Sequence, residues 1–96
     1  MILHIVNQSP FSSDALSRCL SCLSGKDAVI LIEDGVYGLS HPLLAAQSLP
    51  EQSLFYLQAD AQARGVSAAP TLHTVAVNYA EFVDLAVQYE TSVSWF

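Results

Sequence analysis

Apolar positions fall along this chain in two rhythms. Short unbroken runs, ILHIV (Ile2–Val6), AVILIE (Ala28–Glu33), SLFYLQ (Ser53–Gln58), TVAV (Thr74–Val77) and SVSWF (Ser92–Phe96), read as strands. Ala28–Ile32 carries five apolar residues without alternation, the mark of a strand buried on both faces of a parallel sheet. Between the runs the apolar residues spread to helical spacing. Leu16, Cys19, Leu20 and Leu23 make an i, i+3, i+4, i+7 stripe. Ser9-Pro10 supplies a capping hydroxyl and a proline for the first turn, so this helix is expected to start near Pro10 to Ser13 and to stop at Gly25. Asp34–Pro50 reads as loop and helix interrupted near Ser40–Pro42, and Ala59–Gly65 as about two turns of helix ended by its glycine. Asn78 and Glu81 stand three apart at the head of NYAEFVDLAVQYE and are placed to form a capping box.

Strand and helix in alternation imply right-handed crossovers, hence an α/β fold. The expected architecture has three layers: a mostly parallel sheet of about five strands, flavodoxin-like in size, with helices on both faces. Strand order is not encoded in this pattern. The last helix carries more than a sheet-facing stripe. Tyr79, Phe82, Val83, Leu85, Ala86, Val87 and Tyr89 spread over about 200° of its circumference, whereas covering a sheet takes little more than about 100°. The surplus predicts a second contact, most economically with another subunit.

The totals sharpen this picture. Residues 1–96 are expected to form a single domain. The chain is 52% hydrophobic and 12% charged, so its apolar surface is ample to offset ordering entropy and too large to hide fully on so small a body. The net charge is −6, and the cations are Arg18, Lys26 and Arg64 alone. Three scattered cations build no phosphate track, so direct nucleic-acid binding is not expected. MILHIV lacks a cationic leader pattern, and no apolar run approaches the ~18 residues of a membrane span. A cytoplasmic protein with reduced thiols, bound to no membrane, is the expectation.

Candidate chemistry centres on Cys19 and Cys22, the two cysteines, in C-x-x-C spacing. Thioredoxin-like pairs sit at a helix N-terminus, where the macrodipole favours the thiolate. Here the pair falls in the second half of its helix, where the dipole disfavours it. Cys19 lies inside the apolar stripe and Cys22 on its edge. Three readings stand side by side: Cys19 as a small hydrophobe in the core, Cys19 as a thiol that is catalytic or carries sulfur, and the two cysteines as a dithiol redox pair.

The strand C-termini offer a polar rim, Asn7-Gln8-Ser9, Glu33-Asp34-Gly35, Gln58-Ala59-Asp60 and Asn78-Tyr79, at the edge where open α/β sheets bind ligands. A homo-oligomer binding a small ligand near Asn7, Asp34 and Asn78 is the reading it permits; turns and caps are the other. No phosphate-loop or dinucleotide fingerprint is present, and DGVYG reads as a turn. His4, His41 and His73 are too far from one another and from the cysteines for metal-ligand spacing, so no metal or cofactor is expected. His4 reads as a hydrogen-bonded core or interface histidine and Trp95 as a packing anchor. Asp14, Asp27, Glu51 and Asp84 read as solvated charges.

Four segments in order resemble the TusB/DsrH family of sulfur-relay subunits: ILHIVNQSPF, AVILIEDGVY, DAQARG and NYAEFVDLAVQYETSVSW. They are similar to the family's LH-x-x-N/H-x-SP opening, its D-G-V turn, its D-x-x-A-R-G segment and its closing Y-x-x-F-V-x-L helix and terminal strand. The resemblance implies a non-catalytic interaction subunit in a cytoplasmic complex with TusC/DsrF-like and TusD/DsrE-like subunits, a heterohexamer built as a dimer of heterotrimers. Such a complex passes persulfide sulfur toward 2-thiouridine at the tRNA wobble position, or serves sulfur oxidation in the Dsr branch. The sulfur-accepting cysteine of that family belongs chiefly to the TusD/DsrE-like partner. Cys19 aligns with a cysteine of DsrH-type members that TusB-type members lack, which keeps it as the candidate carrier; Cys22 matches no family cysteine. A homo-oligomer of the chain in isolation is compatible with that heteromeric reading.

Overall fold

A computed structural model of the chain describes residues 1–47 and 49–96. Five strands, β1 (Ile2–Val6), β2 (Ala28–Leu31), β3 (Leu54–Leu57), β4 (Val75–Val77) and β5 (Thr91–Trp95), form one sheet in the order β4-β3-β2-β1-β5. Every pairing is parallel. The helices are α1 (Ala15–Ser21), α2 (Pro42–Ala45), α3 (Gln58–Ala63) and α4 (Tyr79–Tyr89), with a 3-10 segment over Glu33–Ser40. The α/β sheet with helices on both faces is therefore as the alternating pattern predicts, and wholly parallel.

The topology explains which helix lies where. The chain steps from β1 to β4 in one direction, so right-handed crossovers place α1, the 3-10 segment, α2 and α3 over one face. From β4 it must return past β1 to reach β5. The reversal puts α4 on the opposite face, where Phe82, Leu85, Ala86 and Tyr89 pack on Leu3, Ala28, Ile30, Phe55, Leu57 and Val77. The other core holds Val6, Leu16, Cys19, Val29, Leu31, Val36, Leu39, Leu44, Leu54 and Ala61. All four residues of β2 are buried, which accounts for its unbroken apolar run.

Several boundaries differ from expectation. Helix α1 begins at Ala15 with Asp14 as its N-cap; Ser9 and Pro10 belong to turns before it, where the Ser9 hydroxyl accepts from the Phe11 N–H. A capping signature followed by proline fits a turn as well as a helix start, and the apolar stripe begins only at Ala15 and Leu16. DGVYG is part of the 3-10 segment rather than a lone turn. Gly35 there lies against the end of β1, and a Cβ would overlap the Val6 carbonyl oxygen. The interruption at Ser40–Pro42 is present: His41 caps α2, its Nδ1 accepting from the Leu43 N–H at 3.0 Å. The expected Asp34–Pro50 stretch runs through Ser48, which lies outside the described residues. Asn78 and Glu81 form the capping box, at 2.8 and 2.9 Å.

Candidate functional site: an interaction face, an interlocked rim and a buried histidine

Helix α4 is the only element over its face of the sheet among the described residues, and it has no buried residue of its own. A helix is about 10–12 Å wide, so sheet positions on either side of it stay partly open: Ile5 and Ile32 towards one end of the strands, Val75 towards the other. On its outer side Tyr79, Val83 and Val87, spaced i, i+4, i+8, are 62%, 61% and 72% exposed. The inner and outer stripes together make the broad apolar circumference seen in the sequence. Asp84 and Glu90 are exposed beside the outer stripe, and α4 carries no cation. Tyr89 belongs to the inner stripe, packed on the core.

The polar rim is largely engaged with itself. The Asp60 carboxylate accepts from the Glu33 N–H at 2.6 Å, and Glu33 occupies the left-handed region at φ 50°. Arg64 donates to Asp34 at 2.9 Å and to the Asp60 carbonyl at 3.2 Å. Asn78 is committed to its capping box. Asn7 Oδ1 is buried and, among the described residues, has no hydrogen-bond partner. A cavity of about 240 Å³, open to solvent, lies at the other end of the sheet, lined by Glu51, Gln52, His73, Thr74 and Val75. Strand C-termini are where a ligand would be sought in such a sheet; here the 3-10 segment lies across them. Among the described residues no three His, Cys, Asp or Glu side chains group at metal-ligating range.

Cys19 is fully buried in the core under α1, and its thiol is pushed up to about 12, first by desolvation, then by Cys22 and by the Asp27 charge. Cys22, the C-cap of α1, is exposed, so the core-filling reading does not extend to it. Both thiols are free. The short helix ends between the two cysteines, which turns the second out to solvent.

Asp27 corrects an expectation. It is not a solvated charge: its side chain is only 5% exposed, and its carboxylate accepts from the Ile2 N–H, from His4 Nε2 at 3.0 Å and from the N–H and hydroxyl of Ser24. Its carboxyl is held below the usual carboxylate range, by the His4 hydrogen bond first and by the Ile2 and Ser24 N–H groups, with burial opposing. His4 Nδ1 in turn meets Trp95 Nε1 at 3.1 Å. An indole N–H only donates, so Nδ1 carries no proton and the ring hydrogen sits on Nε2, given to Asp27. Arg18 lies over the Trp95 ring at 5.9 Å and donates to the Phe96 carbonyl, tying the end of β5 to α1. Asp14, Glu51 and Asp84 are on the surface, Asp14 paired with Arg18. Nothing in the periodicity marks Asp27, because its partner is 23 residues away on β1.

The four segments that resemble the sulfur-relay family thus meet in space. The first and last join through His4 and Trp95, and the second and third through Asp34, Glu33, Asp60 and Arg64. A family model described as DsrH like protein matches residues 8–92. The chain belongs to the TusB/DsrH family. Curated proteins named TusB are similar over almost its whole length. That of Erwinia tasmaniensis is 36% identical over 97 residues, spanning 98% of this chain and all of that protein. Those of Pectobacterium parmentieri and Yersinia pestis are 30% and 31% identical with the same coverage. No helix among the described residues is long and apolar enough to cross a membrane.

Proposed function

We propose that this TusB/DsrH family member is a non-catalytic interaction subunit of a cytoplasmic sulfur-relay complex. It docks on TusC/DsrF-like and TusD/DsrE-like subunits, in a dimer of heterotrimers that passes persulfide sulfur toward wobble 2-thiouridine in tRNA. The single observation that carries the reading is the exposed Tyr79–Val83–Val87 stripe on α4. Apolar side chains in a continuous line on a small acidic domain favour a protein surface over water. Like charges on two copies, −6 each, oppose self-association at low salt, and a partner with cations around an apolar patch is favoured. Cys19 serves packing, since a buried thiol pushed up to about 12 is a poor nucleophile at neutral pH. Sulfur transfer therefore rests with the partner, and no nucleic acid needs to touch this chain.

Co-expression with TusC- and TusD-like subunits followed by native mass spectrometry tests the assembly. A stable complex with both partners is expected, and its loss in Val83→Lys or Val87→Lys with the fold intact. A wild-type chain that stays apart from both partners would overturn the proposal. Incubation with a persulfide donor tests the division of labour: the partner gains one sulfur atom and this chain none. Sulfur on wild-type but not on Cys19→Ser would assign the carrier role to Cys19 instead.

A further inference from the structure

We propose that His4 is a proton-operated latch for the C-terminal strand: a proton on Nδ1 releases Trp95 and frees β5 from the sheet edge. The neutral ring has one arrangement that serves both neighbours, Nε2–H to Asp27 and the Nδ1 lone pair to the indole N–H, at 3.0 and 3.1 Å. Adding the proton at Nδ1 turns an acceptor into a donor facing a donor, so the Trp95 bond is lost. The Asp27 bond survives and becomes an ion pair.

The surroundings make this a two-way choice. From the loop before β2, Asp27 faces His4 and stays ionised across the imidazole range because its carboxyl is held below the usual value. It accepts from Nε2–H in either state of the ring, whereas Trp95 requires the neutral one. From α1, Arg18 lies over the Trp95 ring at 5.9 Å and is the cation nearest the indole among the contacts of that ring. Cys19, also on α1, stays neutral with its thiol pushed up to about 12. Across the sheet His4 is flanked by Val29 and Val93, which do not titrate. Lys26, next to Asp27, is exposed and makes no hydrogen bond or ion pair among the described residues.

The strand being held is poised to leave. β5 is an edge strand paired with β1, Thr91 to Ser94 are exposed, and beyond that pairing it is held by the Trp95 side chain, packed on the core and bonded to His4, and by the Arg18 contact with Phe96. Strands with few buried contacts open at low free-energy cost. Protonation removes the hydrogen bond at the position most buried in the strand.

Trp95 is the single tryptophan of the chain, so its fluorescence reports the latch directly. Hydrogen exchange corrected for intrinsic rates, compared between about pH 8 and pH 5, should show β5 amides losing protection about tenfold while β2 and β3 keep theirs. Trp95 emission should shift with the same single-proton midpoint. His4→Asn, whose amide oxygen can still accept from the indole but takes up no proton, should remove both responses. Trp95→Phe, which donates nothing to the ring, should show the lowered β5 protection at both pH values; this arm holds even if His4→Asn fails to fold. Equal β5 protection at both pH values in wild type, persistence of the response in His4→Asn, or a β5 protection that still depends on pH in Trp95→Phe would overturn the proposal.

Discussion

Arg64 reaches across thirty residues to Asp34, its Nε 2.9 Å from the carboxylate, and in doing so joins the D-A-Q-A-R-G segment to the D-G-V segment. The same guanidinium bonds the Asp60 carbonyl, while the Asp60 carboxylate holds the N–H of Glu33, a residue bent into the left-handed region. Two short motifs that look independent in the sequence thus meet, α3 bracing the 3-10 segment where it leaves β2.

The two carboxylates are unequal, and substitutions should separate them. Asp60 is the less exposed carboxylate and supports a backbone conformation that non-glycine residues avoid. Asp60→Ala is expected to lower stability by about 1–2 kcal/mol in urea unfolding. Asp34→Ala, which removes only an exposed ion-pair partner, should cost clearly less.

Thiol accessibility should divide the two cysteines. In the folded protein a disulfide-type thiol reagent at neutral pH should modify Cys22 and leave Cys19 untouched; after denaturation both should react. The raised Cys19 value also fixes a sign. The folded state holds this proton more tightly than the unfolded chain, so the contribution is fully present below the ordinary thiol range. It is lost as pH rises from there toward about 12. Cys19→Ala should flatten that alkaline limb.

Asp27 sets the opposite limb. Its carboxyl is depressed, by the His4 hydrogen bond first, so the folded state binds the proton less tightly than the unfolded chain. Stability is full above the ordinary carboxylate value and is lost as pH falls through it toward the folded value. Asp27→Ala leaves His4 Nε2–H and the Ile2 N–H buried without their acceptor and should cost about 3 kcal/mol at neutral pH. Chemical unfolding across pH 7 to about pH 3 for wild type and Asp27→Asn checks the sign, with the acid limb shallower in the variant.

The two stripes of α4 should respond differently to truncation. Phe82→Ala removes a side chain packed on the sheet and is expected to cost about 2–3 kcal/mol. Val87→Ala, on the exposed stripe, should change stability by less than about 0.5 kcal/mol. Urea unfolding of the isolated chain separates them, and partner binding should show the reverse order of sensitivity per atom removed.

Much of this protein was already written along its chain. Unbroken apolar runs located the five strands, their alternation with helical stripes required a parallel α/β sheet, and the width of the apolar band on Tyr79–Tyr89 announced a face left over for a partner. Local chemistry also fixed the α4 capping box, because both of its members lie within one turn. Pairings between distant segments had no such signature. Only the closed sheet brought His4 to Asp27 and Trp95, 23 and 91 residues away, turned an apparently solvated aspartate into a buried acceptor, and set Arg64 on Asp34. Strand order, too, waited for the fold, since a run of apolar residues is satisfied by any parallel neighbour, and it is the reversal of the chain after β4 that put α4 on the face opposite the other helices. Periodicity reports which side of an element avoids water; which polar groups then meet is decided by the path of the chain in three dimensions.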